Sequence, residues 1–291
     1  MERLDVVIVA YGAWPLLESC LRSLEEHGPA SASMRVHVVD NASPDGTADR
    51  VAAGFPDVVL HRLAENAGFS RANNVVLDGS DADWALVLNP DCELRPGVLD
   101  HLLDELRARP AVGMVGCRLV QVDGTFDHAA KRSFPTPLAA LAHFTGVGRD
   151  AEGSLGQYRA TTLAEGDAGP VDAINGAFML VRRAALRDVG GFDEGYWLYM
   201  EDLDWCARFW ARGWEVRYDG TVTALHVKGG TAGRHRAARQ NVHFHRGMGR
   251  FYRRHQAGRR PLLDAAVYGG IGAKLGVSLV RSAVARRLGG S

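Results

Sequence analysis

Apolar runs alternate with amphipathic segments through the first ninety residues, and each run stops at a polar cluster. Leu4 to Ala10 is almost continuously apolar, and Trp14 to Glu26 then carries Leu16, Leu17, Cys20, Leu21 and Leu24 at helical intervals. Arg35 to Val39 is a second strand-like run, ending in Asp40-Asn41-Ala42-Ser43. Val58 to Leu63 is a third, leading into Glu65-Asn66-Ala67-Gly68-Phe69-Ser70-Arg71-Ala72-Asn73-Asn74. Trp84 to Leu88 is a fourth, ending in Asn89-Pro90-Asp91. Strands alternating with helical segments predict an α/β fold with a doubly wound, mostly parallel sheet. Ligands of such sheets bind outside the carboxyl ends of the strands, so Asp40, the Asn66 segment and Asp91 are expected to line one crevice.

A second polar concentration lies at residues 196 to 205, Tyr-Trp-Leu-Tyr-Met-Glu-Asp-Leu-Asp-Trp. Leu203, Cys206, Ala207 and Trp210 recur at helical spacing and predict one buried face, with Asp202 at the helix start facing away from the core. A carboxylate beside an aromatic wall suits a general base. It equally suits an acidic first turn that complements the helix dipole. Asp40 can accept from a pyrimidine N3–H or a ribose hydroxyl, or can form a turn before Ser43-Pro44-Asp45-Gly46. Gly68 permits close backbone approach to a ligand. Arg71 can reach a phosphate or stay solvated, and His226, after the apolar run Thr221 to Leu225, can be a metal ligand or a structural histidine.

The order and spacing of several blocks resemble the inverting glycosyltransferases of family 2, which have the GT-A fold. The first half contributes Val9-Ala10-Tyr11, Val39-Asp40-Asn41-Ala42-Ser43, Asn66-Ala67-Gly68-Phe69 with Ala72-Asn73-Asn74, and Asn89-Pro90-Asp91. The second half contributes Asn175 to Arg183, Gly190-Gly191-Phe192-Asp193-Glu194, Glu201-Asp202-Leu203-Asp204, and His226 with Gly229 and Gly230. Within the family the pattern is similar to the bacterial rhamnosyltransferase branch.

The resemblance implies a nucleoside diphosphate sugar donor, dTDP- or UDP-linked, with dTDP-rhamnose the expected one. Its binding residues would be Ala10, Tyr11, Asp40, Asn66, Gly68, Arg71, Asn73, Asn89, Asn175 and Gly176. Asn73 and Asn74 can also hold their loop in shape. A diphosphate beside a carboxylate calls for a hard cation, Mg²⁺ or Mn²⁺, with Asp91 and His226 as the implied ligands. Asn89 stands where many relatives carry the first carboxylate of Asp-x-Asp. Asp202 is implied as the base, Glu201 as its neighbour orienting the acceptor or capping the helix, and Trp197, Tyr199 and Asp204 as acceptor contacts. Trp205 is a further aromatic that can stack on a sugar or pack in the core. The acceptor would be a glycan hydroxyl on a polyprenyl diphosphate, or a soluble small molecule.

Composition narrows the setting. No Pro/Ser-rich linker or repeat divides the first 227 of the 291 residues, so a catalytic domain over 1–232 with a basic helical extension over 233–291 is expected. From Lys228 onward fourteen Lys and Arg face Asp264 alone, a formal +13 that leaves −13 on residues 1–227. Basic and apolar residues share the tail, which suits docking to an anionic membrane surface; packing on the acidic body is the alternative. Cys20, Cys92, Cys117 and Cys206 are scattered without a CxxC pair, the first residues lack a signal-peptide pattern, and no run approaches bilayer-spanning length. These features predict a cytoplasmic protein, peripheral on the inner face of the cell membrane. Residues 127 to 170, rich in Gly, Pro and Ala, are expected to serve acceptor recognition or to form a lid.

Two other classes fit less well. A nucleotidyltransferase needs a Gly-rich, Lys/Arg-containing phosphate loop after its first strand, and Ala10-Tyr11-Gly12-Ala13-Trp14 lacks that chemistry. A nucleic-acid binder would explain the arginine-rich tail but not the acidic body or Glu201-Asp202. A non-catalytic sugar-nucleotide binder is disfavoured by the presence of both Asp91 and Asp202.

Overall fold

A computed structural model describes residues 1–135, 163–227, 238–258 and 260–288. The first half follows the alternation read from the sequence: β1 (Glu2–Ala10), α1 (Trp14–His27), β2 (Ala32–Asp40), α2 (Thr47–Gly54), β3 (Val59–Arg62), α3 (Phe69–Leu77) and β4 (Trp84–Leu88). These strands are parallel in the order β3-β2-β1-β4. Val6 to Ile8 and Leu86 to Leu88 are buried without alternation, as expected where helices cover both faces of a sheet. α1 buries Leu17, Cys20, Leu21 and Leu24, the stripe its spacing predicts. The connection leaving β1 runs towards β2 while the one leaving its neighbour β4 runs the other way, which opens a crevice between their carboxyl ends.

The sheet continues through β5 (Cys92–Glu93), α4 (Val98–Ala108) and β6 (Val112–Val120). The Asp123-Gly124 turn follows, with Gly124 at φ 81° and the Gln121 N–H donating to the Thr125 carbonyl at 2.8 Å. Then come a short 3₁₀ turn (His128–Ala130), β7 (Lys131–Arg132), β8 (Ala168–Pro170), β9 (Ala173–Ile174) and β10 (Phe178–Arg182). β10 departs from simple alternation, lying antiparallel between β4 and β6 with Phe178 opposite Leu88. The reason is the route into it: β7 and β9 form a separate two-stranded sheet, so the chain enters β10 from the crevice end. Asn175 to Ala177 are thereby delivered beside Asn89, whose N–H donates to the Ala177 carbonyl at 2.9 Å. After α5 (Arg183–Val189) and α6 (Glu201–Ala211), β11 (Glu215–His226) runs parallel to β6 and antiparallel to β5, placing His226 opposite Cys92.

α7 (Ala238–His255) and α8 (Pro261–Leu288) complete the chain. α7 lies against the loop before α6: Phe251 is buried in the main core, and Gly247 packs so closely that a Cβ would sit 2.9 Å from the Tyr199 carbonyl. α8 packs on α7 through Val267 and Ile271 around Tyr252, while Leu262, Val277 and Val280 are exposed. It is continuous through Gly269, Gly270, Gly272 and Gly276. The expectation that no segment is long enough to span a bilayer is corrected here. Pro261–Val280 has the length and composition to cross one. It contains no unbroken apolar run, but its Gly, Ala and Ser are nearly neutral and only Asp264 and Lys274 are charged, over about 30 Å of helix. Of the segment expected as an acceptor site or lid, residues 136–162 lie outside the described residues.

Candidate functional site

The loops at the carboxyl ends of β1 and β2 are tied to one another and to the loop before α3. The Asn41 N–H donates to the Ala10 carbonyl and the Gly12 N–H to Ser43 Oγ, both at 2.8 Å. The Asn41 side chain donates to Asn66 Oδ1 at 3.1 Å and to the Gly68 carbonyl at 3.3 Å, and accepts from the Ala67 N–H at 2.8 Å. Asn41, to which sequence reasoning gave no role of its own, is the cross-tie between the two loops. Asp40 is buried and accepts from the Ser43 N–H through Oδ2 at 3.3 Å; its buried Oδ1 has no hydrogen-bond partner among the described residues. An acceptor left so costs about 1–3 kcal/mol, a cost that a donor from a bound base or ribose would remove. Tyr11 and Arg71 are exposed beside these loops.

Gly68 has φ 86°, and a Cβ there would collide with Trp197, whose carbonyl accepts from the Phe69 N–H at 2.8 Å. The close approach expected at this glycine is therefore made by Trp197. Asn73, expected on the donor, is corrected to a bracing role: it is fully buried, and its amide donates one turn back to the Phe69 carbonyl at 2.9 Å. Asn74 holds the Phe192 backbone from both sides, each bond 2.9 Å.

At the opposite side of the crevice, Asp91, Cys92 and His226 place one ligand atom each within 4.8 Å of one another. His226 Nε2 lies 3.5 Å from Asp91 Oδ1, and Nδ1 lies 2.9 Å from Asp127 Oδ2. Burial pushes the imidazole's pKa down, but the Asp127 and Asp91 carboxylates outweigh it and hold His226 up at about 9. Asp127 also caps the 3₁₀ turn, accepting from the Ala129 N–H at 3.0 Å. The Cys92 thiol is held well above its ordinary pKa by burial first and the Asp91 charge second, and donates to the Ala177 carbonyl at 3.4 Å. A carboxylate oxygen and an imidazole nitrogen suit a divalent cation, whereas a protonated thiol does not ligate.

Asp202 is buried, contrary to the outward face its spacing suggested. α6 is turned so that Leu203, Cys206, Trp205 and Phe209 fill the core while Trp210 is partly exposed. Asp202 Oδ2 meets an Arg132 Nη at 2.5 Å and the Gly176 N–H at 3.2 Å; Oδ1 accepts from the Leu203 N–H at 2.8 Å and retains a lone pair. Glu201 is buried with Oε2 unpartnered among the described residues, and burial followed by the Asp202 charge favours its protonated form. Two neighbouring carboxyls are thus divided into a neutral acid and an ion-paired carboxylate. Asn175 Oδ1 accepts from the Ala177 N–H at 3.0 Å, shaping the turn that offers the Gly176 N–H. Tyr199 and Met200, at φ 71° and 74°, lead into α6 through two consecutive left-handed residues.

Asp204 does not face the crevice, which corrects its acceptor expectation, and Trp205 takes the core-packing alternative. Asp204 is 0% exposed and is met by Arg208 at 2.9 Å, His255 at 2.8 Å and the Tyr196 hydroxyl at 3.3 Å. Trp205 is equally buried, packs on Phe192 and donates to the Gly190 carbonyl at 2.9 Å. Trp197 and Tyr199 are partly exposed, Trp197 stacked on His243 and Tyr199 edge-on to Phe244. Sequence reasoning missed Asp127 and Arg132. Asp127 had a faint signal, an Asx residue just after a hairpin turn; Arg132 had none.

A crevice outside the carboxyl ends of the strands, with buried Asp40, Asp91 and Asp202 about it, is where a sheet of this topology binds its ligand. The family model described as glycosyl transferase family 2 matches residues 5–190, and the chain belongs to that family. It is similar to the N-acetylglucosaminyl-diphospho-decaprenol L-rhamnosyltransferase of Mycobacterium tuberculosis, 33% identical over 252 residues, or 82% of this chain and 81% of that one. The rhamnosyltransferase WbbL of Escherichia coli is 26% identical over 167 residues, 55% of this chain and 60% of that protein. Among solved structures, the mannosyltransferase PcManGT from Pyrobaculum calidifontis, in complex with GDP-Man and Mn²⁺, superposes with a TM-score of 0.59 at 20% identity, covering 98% of this chain and 74% of that one.

Removing one partner from a buried ion pair costs about 3–5 kcal/mol. Asp204→Ala is expected to lower unfolding stability in urea by that order, without a selective change in acceptor KM. Its carboxyl pKa is held down by His255 and Arg208 against burial, so the stabilisation is present above the ordinary carboxylate range and is lost as pH falls through the depressed value. The gap between wild type and variant should therefore be full at neutral pH and close only in strong acid; a gap that closes near neutrality would contradict this account.

Proposed function

We propose that this glycosyltransferase moves rhamnose, with inversion, from dTDP-rhamnose to a hydroxyl of a glycan carried on a polyprenyl diphosphate. The similarity to a decaprenol-linked rhamnosyltransferase supports the substrate pair. The observation that carries the mechanism is that Ala177 and Gly176 join the two reactive groups: Ala177 accepts from Asn89 and Cys92, next to Asp91, and Gly176 donates to Asp202.

On the donor side, Asp40 Oδ1 receives a base or ribose donor, while Ala10, Tyr11, the Asn66–Gly68 loop and Arg71 frame the nucleotide. Asp91 and His226 would hold a divalent cation that offsets charge developing on the diphosphate. The imidazole nitrogen in that pair favours Mn²⁺ over Mg²⁺. Without a cation the Asp91 and Asp127 charges keep His226 protonated; when the cation binds, His226 gives up its Nε2 proton, with Asp127 keeping the other on Nδ1 and so orienting the ring. Asp202 Oδ1 takes the proton of the acceptor hydroxyl as that oxygen bonds the anomeric carbon. The bond from that carbon to the diphosphate breaks, and its electron pair leaves with dTDP. Arg132 and Gly176 fix the carboxylate, Glu201 supplies a neutral donor beside it, and Trp197 and Tyr199 wall the acceptor side. α8 and the basic tail are read as the attachment to an anionic membrane on the cytoplasmic side.

Asp202→Asn should bind dTDP-rhamnose normally and lose transfer by about 10²–10⁴-fold, the worth of a general base; retention of a tenth of wild-type turnover in a chemistry-limited assay would move the base elsewhere. Asp91→Ala should abolish Mn²⁺ binding measured by electron paramagnetic resonance, and His226→Ala should weaken it. Asp127→Asn should weaken it by about 10–100-fold, the usual effect of removing a histidine's outer partner. Full transfer by wild type in excess EDTA would remove the metal from the mechanism. In flotation, the protein should rise with anionic vesicles and not with neutral ones at low salt; indifference to lipid charge would contradict the attachment.

A further inference from the structure

Along α7, Arg239, His243, Arg246 and Arg250 recur at i, i+4, i+7 and i+11, within about 60° of one another around the helix. The lower end of this stripe is anchored. Arg250 makes a bidentate pair with Asp193, with bonds of 2.9 and 2.8 Å, and packs over the Tyr196 ring. The upper end differs. Arg239 and Arg246 are exposed, and neither has a carboxylate within ion-pair distance among the described residues. His243 between them is pushed down from its ordinary pKa by burial first and by the Arg239 and Arg246 charges after it, which favours the neutral imidazole.

Contacts hold this end of the helix at the donor loop. The Arg239 guanidinium lies 4.6 Å over the Trp197 ring centroid, and the His243 ring stacks on the same indole at 4.4 Å. The carbonyl of Trp197 is in turn bonded to the Phe69 N–H, directly after Gly68. A guanidinium and an imidazole therefore cover Trp197 beside the loop that frames the donor, with Arg246 one helical turn further along the same face.

We infer that Arg239, His243 and Arg246, with Trp197 beneath them, bind the diphosphate of the prenyl-linked acceptor, an assignment that rests on the glycosyl-transfer reading above. Two guanidinium forks and an imidazole match a group bearing several negative charges and many acceptor oxygens better than they match one carboxylate. The donor's diphosphate already has Asp91 and His226 with their cation, so the second diphosphate of the reaction is the one without a charge sink. From α7 the chain passes into α8, whose exposed Leu262, Val277 and Val280 offer apolar surface to a prenyl tail.

The test uses farnesyl diphosphate as the probe, titrated calorimetrically into the full-length protein in EDTA, with farnesyl monophosphate alongside and dTDP measured separately with Mn²⁺. Wild type should bind farnesyl diphosphate more tightly than the monophosphate. The Arg239→Ala/Arg246→Ala variant should lose at least tenfold in farnesyl diphosphate affinity while its dTDP affinity stays within twofold. Arg246→Ala alone, which disturbs no aromatic contact, should lose about fivefold with an unchanged melting temperature. No binding by wild type, unchanged binding by the variants, or an equal fall in dTDP affinity would each overturn the assignment, the last by giving the stripe to the donor. Failure of the glycosyl-transfer reading would show differently, as wild type that neither binds nor slowly hydrolyses dTDP-rhamnose.

Discussion

Carboxylates taken out of water set the terms for everything around them in this protein. Asp91, Asp127, Asp202 and Asp204 are all buried, and a buried charge without a partner costs several kcal/mol. Each is met in a different way. Asp91 and Asp127 share one imidazole, Asp202 has a guanidinium and a backbone N–H, and Asp204 has an arginine, a histidine and a phenol. Followed in sequence these contacts close a ring: Asp91 to His226, His226 to Asp127, six residues of chain to Arg132, then Asp202, Gly176 and Ala177, and back to the Asn89–Cys92 turn. No member of the ring can shift without unpairing another, and this holds Asp91 and Asp202, the proposed cation ligand and the proposed base, in fixed relation.

The ring exists because β10 runs against its neighbours. A parallel strand in that place would begin at the amino-terminal edge of the sheet and carry Asn175 to Ala177 away from the crevice. Running antiparallel, with Phe178 opposite Leu88, it starts where β4 ends. The pairing of His226 with Cys92 does the same on the other side, since β5 is only two residues long and leaves Asp91 just outside it. Both placements are backbone pairing decisions, with side chains following.

Much of this was legible beforehand, for reasons that can be named. Strands β1 and β4 read clearly because buried parallel strands are nearly apolar throughout, and the polar stretches after β2, β3 and β4 pointed to Asp40, Asn66 and Asp91. The pairs across long sequence separations were not legible. Arg132 meets Asp202 seventy positions away, and nothing local to Arg132 marks it out. The rotation of α6 was misread because Trp210 and Ala207 fit a helical stripe as well as Trp205 and Phe209 do, and only the packing against Phe192 decides between them. Asp204 was misread for the same reason, its partners being His255 and Arg254 on α7, Tyr196 before α6 and Arg208 on its own helix.

Those partners bear on where the enzyme ends as a folding unit. The segment that matches the family stops at residue 190, yet Asp193 and Asp204 obtain Arg250, Arg254 and His255 from α7, far beyond it. A chain excised after His226 would keep every group of the ring but would surrender the α7 counter-ions of Asp193 and Asp204, leaving Asp204 only Arg208 as counter-ion, along with the glycine on which the left-handed Tyr199 turn rests. The basic surplus of the last sixty residues is thus partly spoken for inside the protein, and only the arginines left over from that internal neutralisation are at the disposal of a ligand or a membrane.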